Sequence, residues 1–261
     1  MQHRIALITG GSSGLGAEFA AQLAQQGCDL VLVARSEDRL NRKAEALRAA
    51  HDVRVEVIPL DLTAANASQR LSTALADRGI EIDLLINNAG FATVGAFADQ
   101  DAARERAEIA LNVAAVVDLT HAFLPAMLAR GRGAIVNVAS LAGMQALPYM
   151  SVYAATKAFV LSFSTGLWAE VHDRGVHVLA VCPGPVDTPF FDIPGGSGMR
   201  TAVPRGLMAD TSSVVRGSLA ALADRRVVYV PGLANRAAAL SVPFLPRRLL
   251  ARATARVMHR R

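Results

Sequence analysis

Short apolar runs alternate with longer segments of helical periodicity along nearly the whole chain. The runs are continuous in Val, Ile, Leu and Ala, which indicates strands that are buried on both faces of a parallel sheet. They lie at 4–9, 29–34, 53–59, 82–86, 133–139, 176–182 and 226–230. The helical patterns between them lie at 14–26, 37–50, 64–78, 101–130, 150–174 and 211–224. This alternation predicts an α/β protein with a doubly wound parallel sheet of about seven strands, the three-layer Rossmann fold.

The composition agrees with one large core. The 261 residues are 52% hydrophobic, with a mean hydropathy of +0.31. No Pro/Gly/Ser-rich linker, internal repeat or low-complexity tract divides the chain. We therefore predict a single Rossmann domain over 1–235, followed by a helical extension at 236–261 that is not a separate domain. Neither a leader peptide nor a membrane span is expected, because charge or proline interrupts each apolar run before about 20 residues.

A glycine-rich turn joins the first predicted strand to the first predicted helix. Gly10, Gly14 and Gly16 have the spacing G-x-x-x-G-x-G. Glycines let the backbone turn tightly and approach a pyrophosphate, and the helix N-terminus offers unpaired N–H groups with a partial positive charge. A plain strand-to-helix turn is the alternative. The strand before the turn and the helix after it favour a dinucleotide site.

Tyr153 and Lys157 lie four residues apart in a predicted helix, so both side chains occupy one face. A free tyrosine has a pKa of about 10 and a free lysine one of about 10.4, so neither exchanges protons readily near neutral pH. In a partly dry cleft the ammonium would favour the phenolate. We therefore expect Lys157 to lower the pKa of Tyr153 toward neutrality. An ordinary solvated helix face is the alternative for such a pair considered alone.

Further motifs follow the predicted strands in order. D-L at 61–62, N-N-A-G at 87–90 and P-G-P-V-D-T at 183–188 accompany the glycine turn and the Y-x-x-x-K pair. Together they resemble the short-chain dehydrogenase/reductase family, in its single-domain branch of roughly 250 residues. The resemblance extends over nearly the whole chain, and the ordered set is far more specific than any one motif. Asn87 is expected to tie adjacent strands together.

The resemblance implies a nicotinamide-dependent oxidoreductase and assigns roles to residues. Tyr153 would be the acid/base, Lys157 would also hold the nicotinamide ribose, and Ser140 would hydrogen-bond the substrate carbonyl. Asn112 would hold a water that links Lys157 to solvent, with a buried structural amide or a helix cap as the alternative. The implied catalytic residues are thus Asn112, Ser140, Tyr153 and Lys157. The implied cofactor-binding residues are Gly10, Ser12, Ser13, Gly14, Leu15, Gly16, Asp61, Leu62, Asn88, Ala89, Gly90, Tyr153, Lys157, Pro183, Gly184, Val186 and Thr188.

The end of the second predicted strand bears on the choice of cofactor. An NAD site there usually presents Asp or Glu to the ribose hydroxyls, whereas an NADP site offers Arg to the 2′-phosphate. Here the strand ends in Ala34 and Arg35, and Arg39 lies one helical turn later. Ser12 and Ser13 could donate to the same phosphate. Solvated residues at a helix start are the alternative for the arginines. We predict that NADP(H) is preferred over NAD(H), with Arg35 and Arg39 as further cofactor-binding residues.

The predicted reaction interconverts a ketone or aldehyde and an alcohol on an apolar substrate. Phe91, Met144 and Met150 are expected near the pocket, although core packing explains them nearly as well. The segment 190–200, with its glycines and apolar anchors, is predicted to be a mobile substrate lid. The alternative function is a non-catalytic dinucleotide-binding regulator on the same fold. The intact set of implied catalytic residues argues against it.

Other kinds of site are not expected. The histidines are scattered, and the turn between His172 and His177 breaks any helical ligand spacing, so no metal site is predicted. Cys28 and Cys182 match no metal or redox spacing, and we interpret them as buried thiols of a cytoplasmic protein. The resemblance also implies a homodimer or homotetramer, in which the helix around Asn112 and the one carrying Tyr153 form the dimer face.

The segment 236–261 holds the excess positive charge. It carries seven arginines and no acidic residue, whereas residues 1–235 carry 20 basic and 22 acidic side chains. A basic, partly amphipathic segment can lie on an anionic membrane. It can equally pack on a partner subunit with its arginines solvated, which we prefer at this point because it needs no additional partner. Nucleic-acid binding is not expected, because no aromatic residues interleave with the arginines.

Overall fold

The computed structural model describes residues 5–191 and 208–259. One seven-stranded sheet runs through this part of the chain. Its strands are β1 (Ile5–Thr9), β2 (Asp29–Ala34), β3 (Val55–Pro59), β4 (Leu84–Asn87), β5 (Gly133–Val138), β6 (Val176–Val181) and β7 (Val228–Tyr229). They pair in parallel in the order β3-β2-β1-β4-β5-β6-β7. The doubly wound parallel sheet predicted from the apolar runs is confirmed.

Helices cover both faces of the sheet. They are α1 (Gly14–Gln25), α2 (Glu37–Ala50), α3 (Ala67–Ala76), α4 (Ala102–Ile109), α5 (Ala115–Ala129), α6 (Ser151–Val171), α7 (Thr211–Ala223), α8 (Leu233–Ser241) and α9 (Arg247–His259). A π-helical turn, Ala110–Ala114, joins α4 to α5 in one continuous segment. Turns of this kind are frequent at functional sites.

The order of the strands reverses between β1 and β4. From β1 the chain continues outward to β2 and β3, and from β4 it continues to β5, β6 and β7 on the other side. The connections diverge at this point and leave a crevice beyond the carboxyl ends of the two strands, which is where open α/β sheets bind ligands. The glycine turn follows β1 and the N-N-A-G segment ends β4, so both border the crevice.

The central strands divide the core into two layers. Leu7 and Ile8 are neighbours on β1 and are fully buried, but their side chains point to opposite faces of the sheet. Ile8 belongs to the layer that contains Phe19 of α1, and Leu7 to the layer that contains Phe123 of α5. Burying each such side chain contributes about 1.5–3 kcal/mol. Burial on both sides explains why the strands show no alternation of apolar and polar residues.

Local polar contacts move some predicted boundaries. α3 begins three residues later than the pattern at 64–78 because the chain first turns at Asp61, whose carboxylate accepts hydrogen bonds from the N–H and the hydroxyl of Thr63. Asn66 then enters the helix with a left-handed φ of 56°. β7 is shorter than the run at 226–230, because it pairs with β6 only through Val228 and Tyr229.

The continuous helical segment Ala102–Ala129 is, by length and composition, apolar enough to cross a membrane, contrary to the expectation from its interrupting charges and proline. Core helices meet the same criterion. In this fold Leu119 and Met127 are buried in the layer of the core that also contains Leu85 of β4. Packing on the sheet therefore accounts for the buried part of the segment, which is 33% of its most apolar window.

Candidate active site

A cavity of about 340 Å³ lies at the carboxyl ends of β4, β5 and β6. Its wall is mainly apolar, with contributions from Val138, Leu141, Leu147, Met150 and Phe190. Ten of the residues predicted from the sequence line it together. They are Leu15, Asn88, Gly90, Ser140, Tyr153, Lys157, Pro183, Gly184, Val186 and Thr188. The segments that were separate motifs in the sequence thus meet around one space.

Ser140 and Tyr153 form the polar centre of this wall. Ser140 follows β5 and caps a short 3-10 turn, Leu141–Met144, where its Oγ accepts a hydrogen bond from the N–H of Ala142 at 3.1 Å. Tyr153 lies on the first turn of α6, and its hydroxyl is hydrogen-bonded to the Ser140 side chain. Both side chains are buried. A carbonyl oxygen placed beside them would meet two hydroxyl donors.

Lys157 lies one helical turn after Tyr153 and lines the same cavity. Its ammonium donates a hydrogen bond to the carbonyl of Val138 at 2.8 Å, and its Nζ lies 5.8 Å from the centroid of the Tyr153 ring. Burial lowers the pKa of Lys157 to about 8. The lysine is therefore fixed to the end of β5 and titrates much closer to neutrality than a free lysine.

The pKa of Tyr153 corrects an expectation from the sequence. Burial raises this pKa to about 12, the hydrogen bond with Ser140 opposes the rise only in part, and the nearby carboxyl of Glu108 adds to it. The prediction that the pKa of the phenol falls toward neutrality was wrong here, because the loss of water around the phenol outweighs any stabilisation by the ammonium, which is hydrogen-bonded to Val138. A phenol that stays neutral near pH 7 is suited to donating a proton.

Asn112 is buried in the π-helical turn and braces two neighbouring segments. Its Nδ2 donates to the carbonyl of Phe91 at 2.9 Å and to Oγ1 of Thr156 at 3.1 Å, while its Oδ1 accepts from the N–H of Phe91 at 3.2 Å. A Cβ added to Gly90 would lie 2.9 Å from Oδ1 of Asn112 and 3.4 Å from Nζ of Lys157. Asn112 is thus a buried structural amide, which was one of the alternatives from the sequence. Its Oδ1 also faces the space beside Gly90 that Nζ of Lys157 borders.

Glu108 is a residue of this region that the sequence reasoning missed. It lies one helical turn before Asn112, is fully buried, and accepts hydrogen bonds from the N–H and the hydroxyl of Thr93 at 2.8 and 2.7 Å. Its other carboxylate oxygen has no hydrogen-bond partner among the described residues. Burial raises the pKa of Glu108. Its spacing of four residues from Asn112 was the available signal, since it places both side chains on one helix face.

The glycine turn has a backbone that only glycine accommodates easily. Gly10 and Gly14 have positive φ values of 67° and 54°. A Cβ on Gly10 would lie 2.8 Å from Nδ2 of Asn88, and one on Gly16 would collide with the carbonyl oxygen of Gly10. Ser12 and Ser13 are half-buried in this turn, just before α1 begins at Gly14. Close backbone packing beside a helix N-terminus leaves room for a pyrophosphate.

Thr9 and Asn88 hold the ends of β1 and β4 together. Oγ1 of Thr9 accepts hydrogen bonds from the N–H groups of Asn88 and Ala89 at 2.9 and 3.0 Å, and Nδ2 of Asn88 donates to the carbonyl of Thr9 at 2.9 Å. Thr9 directly precedes the glycine turn and was not named as a site residue. Asn87 ties adjacent strands as expected, because its Nδ2 donates to Oδ1 of Asn137 on β5 at 2.9 Å.

Exposed charges lie at the other end of the crevice, beside β2 and β3. Arg35 and Arg39 are both exposed, at the end of β2 and in the first turn of α2. Hydrogen bonds from Thr63 lower the pKa of Asp61, and the charge of Arg35 lowers it further. Arg35 and Asp61 therefore share one edge of the sheet. The Leu62 side chain is buried in the core instead of facing this edge.

The P-G-P-V-D-T segment connects the two sides of the cavity. A Cβ on Gly14 would lie 3.5 Å from the Thr188 side chain, so this segment reaches back to the glycine turn. The Phe190 ring lies 5.5 Å from the Tyr153 ring, between centroids, and closes one side of the cavity. Most of the lid predicted at 190–200 lies outside the described residues.

The apolar residues expected around the pocket are only partly brought there. Met150 lines the cavity, whereas Met144 lines a neighbouring groove on the other side of its loop. Phe91 packs beneath the guanidinium of Arg104, with 5.3 Å from Cζ to the ring centroid. Cation–π packing and the bracing by Asn112 thus explain Phe91 better than contact with a substrate does.

These observations test which groups the site could hold. The tight glycine turn, the open helix N-terminus and the arginines at the end of β2 fit a dinucleotide such as NADP(H). Among the described residues, no group of three or more His, Cys, Asp and Glu side chains could hold a metal ion. Cys28 and Cys182 are buried, and burial raises the pKa of each thiol to about 12. Neither is therefore a reactive thiolate near pH 7.

The sequence is similar to known oxidoreductases. The family model for short chain dehydrogenases matches residues 4–193. The ketoacyl reductase HetN of a Nostoc species is 37% identical over 178 residues, which are 68% of this chain and 62% of HetN. The very-long-chain 3-oxoacyl-CoA reductase of Mus musculus is 34% identical over 193 residues, which are 72% of this chain and 61% of that enzyme. The match therefore spans about three fifths of the length of these two relatives.

Solved structures agree over nearly the whole fold. A short-chain dehydrogenase from Sphingobium yanoikuyae in complex with NADPH is 37% identical, with a TM-score of 0.80 over 92% of this chain and 93% of that one. The bulky-bulky ketone specific alcohol dehydrogenase from Comamonas testosteroni is 33% identical, with a TM-score of 0.79 over 94% and 93%. A short-chain dehydrogenase/reductase from Burkholderia phymatum in complex with NAD is 29% identical, with a TM-score of 0.83 over 91% and 92%.

Proposed function

The chain belongs to the short-chain dehydrogenase family, and from this premise we propose that it is an NADP(H)-dependent oxidoreductase that interconverts a ketone or aldehyde and an alcohol on an apolar substrate. One observation carries the proposal. Ser140, Tyr153 and Lys157 lie together on the wall of a mainly apolar cavity at the switch point of the sheet. A site with these groups can bind a carbonyl, supply a proton to it and exclude water from the reaction.

The proton chemistry follows from the environments of these side chains. NADPH, when bound, supplies the hydride that reduces the carbonyl carbon. Ser140 and Tyr153 donate hydrogen bonds to the carbonyl oxygen, and Tyr153 transfers its proton to that oxygen as negative charge develops. The phenolate left behind is stabilised by the Lys157 ammonium, whose Nζ is 5.8 Å from the ring centroid. The raised pKa of Tyr153 keeps the phenol protonated, which favours the direction of carbonyl reduction.

The substrate is proposed to be apolar because of what surrounds the hydroxyl pair. Leu147, Met150 and Phe190 form the wall beside Tyr153 and offer no charged group to a substrate. Burial of apolar substrate surface against them is favourable by roughly 25 cal/mol per Å². The names of the similar proteins support this class, since HetN is a ketoacyl reductase and the Comamonas enzyme is specific for bulky-bulky ketones.

The preference for NADP(H) rests on charge at the end of β2. Arg35 occupies the position at which an NAD-specific site usually presents a carboxylate, and Arg39 follows one turn later. Both guanidiniums are exposed, as binding of a 2′-phosphate requires. The solved relatives do not decide between the cofactors, because one was determined with NADPH and another with NAD.

We also propose a homodimer or homotetramer in the cytoplasm. The surface between α5 and α6 supports the first part, because it has a groove of about 700 Å³ in which Leu124 and Phe163 are half-buried. The exposed Phe159 stacks on Phe163, with 5.8 Å between the ring centroids. An apolar helix face of this kind is suited to contact with the same face of a second copy.

A comparison of Tyr153→Phe with the wild type tests the proposed function. Oxidation of NADPH would be followed against a panel of apolar ketones, aldehydes and β-ketoacyl thioesters. Loss of the hydroxyl is expected to lower kcat by about 10²–10⁴-fold, while the Kd for NADPH stays within a few-fold of the wild-type value. Tyr229→Phe, at the far edge of the sheet, is the control and should retain full turnover.

The same experiment distinguishes the alternative function. Tight binding of NADPH by the wild type without turnover of any substrate in the panel would contradict the reductase and favour a non-catalytic dinucleotide-binding regulator. Turnover that Tyr153→Phe leaves unchanged would contradict the role assigned to the phenol.

A further inference from the structure

The C-terminal helices α8 and α9, with the turn Val242–Phe244 between them, expose large apolar side chains in unusual number. Leu233 is 86% exposed, Leu240 66%, Phe244 88% and Leu249 62%. In the rest of the described chain, Phe97 is the only large hydrophobic residue that is as exposed as these, at 69%. Scattered single residues of this kind are ordinary on a protein surface, but a concentration of them marks a surface that meets another apolar phase.

These residues are not needed to attach the segment to the protein. Other apolar residues of the segment, Val242 and Leu250, line the groove through which it packs on the body, opposite Ala154 and Ala158 of α6. Thr254 adds a hydrogen bond from its hydroxyl to the carbonyl of Ala146 at 3.4 Å. The segment therefore has one face docked on its own domain and another apolar face that remains in water.

The outward face is also basic. Five arginines of α8 and α9 are exposed, and they are Arg236, Arg247, Arg248, Arg252 and Arg256. Arg247 also borders the groove between the segment and the body. No ion pair joins any of them to an acidic side chain of the described residues. The sequence offers no acidic residue from 236 to the end, so positive charge accumulates beside the exposed leucines and phenylalanine. We call this surface, formed by residues 233–256, the C-terminal face.

We propose that the C-terminal face docks the enzyme on an anionic lipid membrane. Apolar side chains interleaved with arginines suit a lipid interface, because the former enter the acyl boundary while the guanidiniums remain among the phosphates. A second copy of the chain fits the same face poorly. A two-fold interface would bring the same five arginines of both copies together without an acidic residue of the segment to pair with them.

The position of the C-terminal face links the membrane to the site. Nδ2 of Asn235 on α8 lies 2.6 Å from where a Cβ on Gly184 would be, so α8 abuts the P-G-P-V-D-T segment. Gln145 and Leu147 line both the active-site cavity and the groove of about 740 Å³ under α9. A membrane on this face would thus lie beside the cavity that is proposed to take an apolar substrate. This consequence rests on the proposed function, but the proposal that the face docks on a membrane does not.

Co-sedimentation of the full chain with vesicles tests the docking without any turnover assay. The vesicles would be pure phosphatidylcholine, or phosphatidylcholine and phosphatidylglycerol in a ratio of two to one, at low and physiological salt. Binding is expected only to the anionic vesicles and is expected to weaken with salt. The double variant Phe244→Ser/Leu249→Ser and the triple variant Arg248→Glu/Arg252→Glu/Arg256→Glu should each bind at least about tenfold more weakly than the wild type.

Matched variants control for surface apolarity and net charge. Phe97→Ser removes an exposed ring from another surface, and Arg42→Glu/Arg70→Glu/Arg216→Glu makes the same change in charge on α2, α3 and α7. Both should bind anionic vesicles within about twofold of the wild type and melt at the wild-type temperature.

Equal binding to neutral and anionic vesicles, no vesicle binding, or an equal loss of binding in the control triple variant would overturn the proposal. A fall in oligomeric mass in the Phe244→Ser/Leu249→Ser variant, without vesicle binding by the wild type, would assign the face to a second copy instead.

Discussion

The two ends of the proposed cofactor groove are built in opposite ways. At the nicotinamide end, Tyr153 and Lys157 are buried, and burial moves the pKa of each away from its ordinary value. At the adenine end, Arg35 and Arg39 are exposed, and Asp61 is held by local hydrogen bonds from Thr63 at the surface. We therefore expect reaction chemistry to be controlled by desolvation at one end, and cofactor choice to depend on a few exposed charges at the other.

This difference has a consequence for substitutions. A change at the buried end alters side chains that also fix the neighbouring backbone, as Asn112 and Glu108 do by accepting hydrogen bonds from the loop at 91–93. A change at the exposed end alters one Coulomb interaction in water and leaves the fold undisturbed. Rate and pH dependence should therefore respond to the first end, and the preference between NADPH and NADH to the second.

The strongest test of the buried end is Lys157→Met. The variant loses the charge that stabilises the phenolate, and kcat for reduction is expected to fall by about 10²–10³-fold. In the wild type, kcat/KM for reduction should be level at low pH and fall as pH rises through about 8, because Lys157 loses its charge there. Steady-state kinetics from pH 6 to 10, in about unit steps, measures both effects.

Lys43 provides the matched control, since it is the other lysine of the chain and lies on the surface of α2. Lys43→Met should retain the wild-type kcat and the same fall near pH 8. A Lys157→Met enzyme with wild-type kcat would contradict the role assigned to the buried end, because it would mean that the buried charge does not act on the phenol.

At the exposed end, Arg35→Glu is expected to act on the cofactor and not on the chemistry. The new carboxylate repels a 2′-phosphate and can accept hydrogen bonds from ribose hydroxyls, so the ratio of kcat/KM for NADPH to that for NADH should fall by about 10–100-fold. The kcat at saturating cofactor should stay within about twofold. Arg70→Glu, an exposed change on α3, is the control for net charge and should leave the ratio unchanged. An unaltered ratio in Arg35→Glu would remove Arg35 from the cofactor site.

Most of the fold could be predicted from the sequence because the sheet is buried on both faces. Strands that are continuously apolar are easily distinguished in the sequence from helices with clear periodicity, as β1 and α1 are on either side of the glycine turn. Boundaries were predicted less well where polar side chains bond to the local backbone, as Asp61 and Thr63 do before α3. Such bonds depend on individual geometry, which periodicity does not report.

For the site, motif order predicted which residues would meet but not their electrostatics. Ser140, Tyr153 and Lys157 line one cavity as the motifs implied, but the sign of the shift in the Tyr153 pKa was predicted wrongly. The spacing of Tyr153 and Lys157 reports proximity, whereas burial of the phenol and the bond from Lys157 to Val138 appear only in the folded structure. Glu108 was missed although its spacing from Asn112 places both side chains on one helix face, because a carboxylate on an otherwise polar helical stretch does not by itself indicate full burial.

Glu108→Gln gives the smallest effect and the finest test of the buried end. The amide oxygen can still accept the two hydrogen bonds from Thr93, so the substitution removes titration and leaves the contact in place. Because burial raises the pKa of Glu108 above its ordinary 4.5, the folded state binds the proton more tightly than the unfolded state does. The stability contributed by this carboxyl is therefore fully present below about pH 4.5 and is lost as pH rises through the raised pKa.

The free energy of unfolding of the wild type should consequently fall, relative to Glu108→Gln, as pH rises from about 4.5 toward neutrality. Urea unfolding of both proteins at several pH values measures this difference, and effects of other groups such as His177 cancel in it. Glu45→Gln, an exposed change on α2, should show no such trend. If the difference between wild type and Glu108→Gln stayed level with pH, water would have to reach the carboxyl. The buried end of the groove would then be solvated like the end beside Arg35. This result would contradict the difference in solvent exposure on which the comparison of the two ends rests.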